Sequence, residues 1–134
     1  MESPASGFVG RVLVVEDNSI NRLIAGKLLQ RLGLQIEYAE DGAEALEKLA
    51  ASDFDLVLMD CMMPRLDGFA TTQQWRTYEN AHGRTRTPIV AVTANSGSED
   101  RAHCLASGMD DVLGKPINLH GLTGVIARYL PAAR

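Results

Sequence analysis

The stretch DLVLMDCMMPRLDG, Asp55–Gly68, decides the fold. Leu56–Met59 is apolar at every position, so both faces of this segment call for burial. A short apolar run closed by turn residues reads as a central strand of a parallel sheet. Asp60 stands where that strand stops, and Pro64 to Gly68 reads as the loop beyond it, with Gly68 placed where the backbone must turn tightly. Three further runs end in the same way: VLVV before Glu16 and Asp17, IVAV before Thr93, and DVLG before Lys115.

Helical patterns separate these runs. A first strand over Arg11–Val15 leads to a helix with Ile20, Leu23, Ile24, Leu28 and Leu32 on one face. Asp17 to Ser19 offers its capping side chains, and Gly33 ends it. A second strand, Gln35–Ala39, turns through Asp41 and Gly42 into a helix with Ala43, Leu46, Leu49 and Ala50 inward. The third helix carries Trp75, read as core filler, and Tyr78; its apolar stripe is poor and its end falls near Ala81 to Arg84. Ser96 and Glu99 have capping-box spacing for a short fourth helix with Ala102, Leu105 and Ala106 facing in. A fifth strand, Asp111–Leu113, precedes a helix with Asn118 as N-cap, an Ile117–Leu122 staple, and Val125, Ile126 and Tyr129 inward. Five strands alternating with five helices predict a doubly wound (βα)5 α/β domain.

In such sheets ligands bind beyond the carboxyl ends of the strands. Glu16, Asp17, Asp60, Thr93 and Lys115 all stand at those ends, so the fold should gather them on one edge. Carboxylates on neighbouring strands repel unless a cation joins them, and a hard oxygen-binding ion such as Mg²⁺ is the natural partner.

At 134 residues, with 46% apolar and 22% charged residues, the chain has the make-up of one globular domain. A net charge of −4 without a basic cluster argues against a nucleic-acid surface. No stretch approaches the ~20 apolar residues of a membrane span. The N-terminal MESPASGF lacks the marks of a signal peptide; residues 1–9 read as a disordered lead and 10–131 as the folded domain. Two cysteines, Cys61 and Cys104, give no disulfide framework, and a reducing cytoplasm is the expected compartment. Cys104 reads as a small core residue. Met59, Met62 and Met63 read as packing around the loop rather than as a redox sensor. His82, His103 and His120 stand away from the strand ends and read as loop or helix-surface residues.

VLVVEDN, DLVLMDCMMPRLDG, PIVAVTA and GMDDVLGKPI together resemble the landmarks of response regulator receiver domains in two-component systems. The likeness runs from about Gly10 to Leu130. EDNSINRLIAGKLLQRLG is most similar to receivers attached to hybrid histidine kinases. The resemblance implies a flavodoxin-like sheet of order 2-1-3-4-5, with the switch point between strands one and three. It implies that Asp60 accepts a phosphoryl group from a phosphohistidine. Asp17, Asp60 and the backbone carbonyl of Cys61 would bind Mg²⁺ directly, with Glu16 acting at the metal, often through water. Lys115 would contact one phosphoryl oxygen and Thr93 another, and the Lys115–Pro116 peptide would be cis. The expected partner is a histidine kinase or histidine phosphotransfer domain, the expected state a monomer, and the expected place the cytoplasm or the cytoplasmic part of a membrane-bound hybrid kinase. Met62 and Asn95, two residues after Asp60 and Thr93, would flank the path of water to an aspartyl phosphate, and a slow spontaneous loss of the group is expected.

One departure stands out. Many receivers carry Tyr or Phe three residues before the lysine, and here the position is Val112, which is stiff at χ1. Coupled surface changes on the fourth helix and fifth strand should then be smaller or differently coupled, which favours relay over switching of an output domain. Three other classes fit less well. An aspartyl-phosphate hydrolase of the haloacid dehalogenase type needs a second Asp where Met62 stands. A phosphorylation-independent scaffold would be expected to have lost an acid or the lysine, and a flavodoxin-like cofactor binder would need a phosphate loop after the first strand.

Overall fold

The computed structural model describes residues 7–63, 66–94 and 97–132. Five strands, β1 Arg11–Val15, β2 Gln35–Ala39, β3 Leu56–Asp60, β4 Ile89–Thr93 and β5 Asp111–Gly114, alternate with α1 Ser19–Arg31, α2 Gly42–Ala51, α3 Gly68–His82, α4 Ser98–Ala106 and α5 Leu119–Tyr129. The sheet is parallel with order β2-β1-β3-β4-β5. Alternation along each strand divides the core in two. Val12, Val14, Leu56, Leu58, Val90 and Val92 pack with Ala25, Leu29, Leu122 and Ile126 under α1 and α5. Leu13, Val15, Val57, Met59, Ile89 and Ala91 pack with Leu49, Trp75 and Cys104 under α2, α3 and α4. Each large apolar side chain buried in these layers contributes about 1.5–3 kcal/mol. No helix among the described residues is long and apolar enough to cross a membrane.

The helices begin at side-chain caps. Asn18, Asp41, Asp67 and Asn118 accept from the backbone N–H of Asn21, Glu44, Ala70 and Gly121. Each bond satisfies a donor that the helix leaves unpaired. The end of α3 is sharp: Gly83 adopts φ 62° and donates to the carbonyl of Glu79. The Ser96 cap expected for α4 lies outside the described residues; the helix starts after Gly97, with no side-chain cap bond.

Three expected helix faces and one loop residue need correction. In α1 the residues turned inward are Ala25, Gly26 and Leu29, while Ile20, Leu23 and Ile24 are 65%, 56% and 45% exposed. The small residues face the sheet because the helix lies close against it: a Cβ on Gly26 would fall 2.0 Å from the Tyr38 hydroxyl. In α2, Ala45 is inward, and Ala43 and Ala50 are exposed. In α4 only Cys104 is buried; Ala102, Leu105 and Ala106 face out. Met62 is no packing residue, since it is 75% exposed, whereas Met59 and Met63 are buried. Trp75 is buried and stacks on Tyr78.

Within the stretch read as a lead, Phe8 and Val9 are bonded to the rest of the domain. Phe8 donates its N–H to Leu32 O and Val9 to Pro131 O, and Phe8 forms an antiparallel bridge with Ala132. Phe8 also packs against the core layer under α1 and α5. Gly33 makes room for this strap, with φ 86° and the Phe8 carbonyl 3.3 Å from where a Cβ would sit.

Candidate functional site

The sheet brings the strand-end residues to one edge. Glu16 continues the β1 pairing by donating its N–H to Ala39 O, and the chain then leaves through Asp17 and Asn18 into α1. Asp60 is the last residue of β3, opposite Val92, and Cys61 N–H donates to Val92 O. Thr93 pairs with Gly114, and Lys115 N–H donates to Thr93 O at 2.8 Å. The Lys115–Pro116 peptide is cis.

Carboxylate oxygens of Glu16, Asp17 and Asp60 lie within 4.8 Å of one another. Glu16 and Asp60 are 6% and 2% exposed, and Asp17 faces solvent. Lys115 Nζ lies 3.3 Å from Asp60 Oδ1 and 3.5 Å from Glu16 Oε1. Met62 N–H donates to Asp60 Oδ1 at 3.1 Å, and Asn18 N–H to Glu16 Oε2 at 3.2 Å. Thr93 is buried at 8% exposure in the adjoining strand end. The Cys61 carbonyl accepts from Gly68 N–H, so the start of α3 is tied to the residue after Asp60.

Gly68 does not occupy the tightly turned loop expected of it. It is the first residue of α3, and close approach is what requires glycine there: a Cβ would stand 2.4 Å from Asp60 O and 3.0 Å from Cys61 Cα. Cys61 and Cys104 are free and buried, with Sγ atoms 3.9 Å apart. Burial, the neighbouring Cys104 and Asp60 push the Cys61 thiol far up. No histidine joins the acidic cluster: His103 stacks on Phe69, His82 stacks on Tyr78, and His120 lies on α5. Val112 is half-buried beside the core layer under α2, α3 and α4.

Among the described residues, the three acids share one paired cation, Lys115, which reaches Glu16 and Asp60. Burial raises the Glu16 carboxyl, the Asn18 N–H lowers it, Asp60 raises it and Lys115 lowers it, and the balance leaves it at about 7. For Lys115 burial works downward, but the charges of Asp60 and Glu16 outweigh it and hold the ammonium above its ordinary value. An all-oxygen donor set with surplus negative charge fits a hard divalent ion.

The raised Glu16 pKa makes stability pH-dependent. The folded state holds this proton more tightly than the unfolded chain, so the contribution is present below the ordinary value of 4.5 and is lost as pH rises through about 7. In metal-free buffer, Glu16→Gln should flatten that part of the curve of unfolding midpoint against pH. A curve that keeps its full slope in the variant would place the titration elsewhere.

Sequence reasoning did not single out Arg22 as part of this site. Its Nη1 donates to Glu16 O at 2.8 Å and to Asp17 O at 3.2 Å. The available signal was its place one helical turn past the Asn18 cap, within reach of the loop just traversed.

The chain matches the model of the response regulator receiver domain over residues 12–127. It is 42% identical over 120 residues to hybrid signal transduction histidine kinase A of Dictyostelium discoideum; the match takes in 89% of this chain and 6% of that protein's length. Among solved structures, the co-crystal structure of the Saccharomyces cerevisiae histidine phosphotransfer signaling protein Ypd1 and the receiver domain of its downstream response regulator Ssk1 holds a similar chain. The TM-score is 0.87 at 33% identity, covering 92% of this chain and 90% of that one. The receiver domain of the histidine kinase CKI1 from Arabidopsis thaliana, complexed with Mg²⁺ and BeF₃⁻, matches with TM-score 0.74 at 38% identity, covering 90% and 89% of the two chains. A parallel sheet with acids at its switch point defines the class, an α/β module built to handle charge at its strand ends. The chain belongs to the response regulator receiver domain family, the phosphoacceptor modules of two-component relays.

Proposed function

We propose that Asp60 is the phosphoacceptor of this domain, taking a phosphoryl group from a phosphohistidine. What carries the reading is the single constellation of Glu16, Asp17 and Asp60 gathered on one edge with Lys115 Nζ reaching two of them. An Asp60 carboxylate oxygen attacks phosphorus, the P–N bond breaks, and the imidazole leaves with the electron pair. Such transfer depends on positioning and on offsetting charge. Lys115 supplies a compact positive charge to a phosphoryl oxygen, and the Thr93 hydroxyl donates to another. The residues that would hold Mg²⁺ are Asp17, Asp60 and the Cys61 carbonyl, with Glu16 beside them. When bound, the ion neutralises charge that builds on the phosphoryl oxygens. Titration of Mg²⁺ by calorimetry should show saturable binding that Asp17→Ala removes. Unchanged affinity in that variant would take Asp17 out of the metal site.

The phosphodonor we propose is a histidine phosphotransfer or histidine kinase domain in the cytoplasm. Its helical surface must rest beside Asp60 to bring the imidazole in line. Ile20, Leu23, Ile24 and Met62 are exposed apolar side chains around that edge, and Asn21 lies among them. Partner contacts of this kind are supported by the likeness to the chain solved with Ypd1. Asn21→Arg should slow transfer from a phosphohistidine donor by about tenfold, the equivalent of ~1.4 kcal/mol of lost contact. Its reaction with acetyl phosphate should keep the wild-type rate. Equal slowing of both reactions would mean that the substitution damages the site itself.

A further inference from the structure

We propose that Arg22 is a positioning residue for the cation site: it clamps the peptide segment carrying Glu16 and Asp17 so that their carboxylates converge with Asp60. This rests on the reading of those acids as a divalent-cation site. The starting point is where the backbone bonds of the β1–α1 connection go. Val15 is the last residue of β1 paired with its neighbours in the sheet, and Glu16 keeps one further bond through its N–H to Ala39 O. The carbonyls of Glu16 and Asp17 precede α1, which begins at Ser19 and whose first backbone acceptor is Asn18 O, bonded by Arg22 N–H. They therefore lie outside both the strand ladder and the helix ladder. Arg22 Nη1 donates to both, at 2.8 and 3.2 Å, from a side chain that is 19% exposed. Its Nη2 stands 3.8 Å from Glu40 Oε2, but that carboxylate is 71% exposed, and an ion pair in solvent holds little. The carbonyl bonds are what fix the loop.

The clamped residues are the same two whose carboxylates lie within 4.8 Å of Asp60. Those carboxylates repel one another, and among the described residues Lys115 is the cation that pairs with Asp60 and Glu16. Left unheld, the connection would relieve the repulsion by swinging Asp17 outward into solvent, where it is already exposed. A guanidinium whose Nη1 bonds two successive carbonyls resists that motion, and a lysine ammonium, on a stem one bond shorter, reaches them less well. Partners that orient metal ligands in this way typically carry about tenfold to a hundredfold in metal affinity.

The test is calorimetric titration of Mg²⁺ into wild type, Arg22→Met, Arg22→Lys and Asp17→Ala, with thermal unfolding in metal-free buffer alongside. Arg22→Met should weaken Mg²⁺ binding at least about tenfold, with Arg22→Lys in between. In the acetyl phosphate reaction, the half-saturating Mg²⁺ concentration should rise by the same factor, while the rate at saturating Mg²⁺ returns to near wild type. A merely structural role would lower the unfolding midpoint and leave Mg²⁺ affinity alone. Wild-type affinity in Arg22→Met, with binding lost in Asp17→Ala, overturns the proposal and leaves the cation site standing. Wild-type affinity in Asp17→Ala as well removes the cation site, and this proposal with it. If Arg22→Met does not fold, Arg22→Lys decides: weakened binding supports the clamp, and wild-type affinity overturns it.

Discussion

Asp60→Asn is expected to take up no phosphoryl group from acetyl phosphate or from a phosphohistidine partner, as read by intact mass. The amide keeps the shape of the side chain but has no charged oxygen to attack phosphorus. Asp60 is 2% exposed and accepts from Lys115 and from the Met62 N–H, so the variant also loses an ion pair. Lys115 keeps Glu16 as a partner, which should preserve the fold. Phosphorylation at normal rate and stoichiometry in this variant would falsify the assignment of Asp60. In wild type the label should persist after the donor is removed. Met62 stands 75% exposed beside Asp60 and offers its side chain no hydrogen bond for an attacking water. Met62→Asn should shorten the lifetime, and an equal or longer one would mean that Met62 is not the barrier. Asn95, the other residue expected on that path, lies outside the described residues.

Gly68→Ala should be the most damaging small substitution in the chain. Its Cβ would fall 2.4 Å from the Asp60 carbonyl oxygen and 3.0 Å from Cys61 Cα. Both obstacles are backbone atoms, which no side-chain rotation can clear. The cost should reach about 3 kcal/mol, the upper part of the usual range for overpacking. That corresponds to a fall in unfolding midpoint on the order of 10 °C. Mg²⁺ affinity should fall too, because the displaced segment carries Asp60 and Cys61. Gly124→Ala in α5 is the control, since nothing lies within 4 Å of its Cβ. Alanine there should leave stability equal or slightly higher. A Gly68→Ala protein as stable as wild type would show that α3 can shift freely against β3.

The strands were legible because a sheet covered on both faces demands near-continuous apolar runs, and few other structures do. Leu56–Met59 and Ile89–Val92 carry that demand without interruption. The gathering of Glu16, Asp17, Asp60 and Lys115 was legible because β-strand ends convert sequence landmarks directly into spatial neighbours. Helix faces were less so. Ile20, Leu23 and Ile24 have the spacing of a buried stripe, yet the sheet takes Ala25, Gly26 and Leu29. Periodicity reports that an apolar face exists, not what covers it. The two alternatives differ by close approach of backbone, which small residues permit and no period reveals. Gly68 failed for the same reason: close backbone contact with the end of β3 requires it, not a tight turn. Arg22 was hard to read because its bonds go to main-chain oxygens, so its place one turn past the Asn18 cap was the signal and residue type gave none.

The bridge between Phe8 and Ala132 has a consequence for how the domain could be carried. β1 begins and α5 ends at the amino edge of the sheet, so both straps lie there, with the acidic cluster at the far edge. The strands hold the two edges about 16 Å apart. Any polypeptide continuing from either end would depart from one small region behind the reactive rim. The domain would then hang as on a single pivot, its rim outward and unobstructed. A tether of that kind raises the local concentration of a partner on the same scaffold without dictating the angle of approach. Docking would then be left to the rim's own exposed apolar side chains, Ile20, Leu23, Ile24 and Met62.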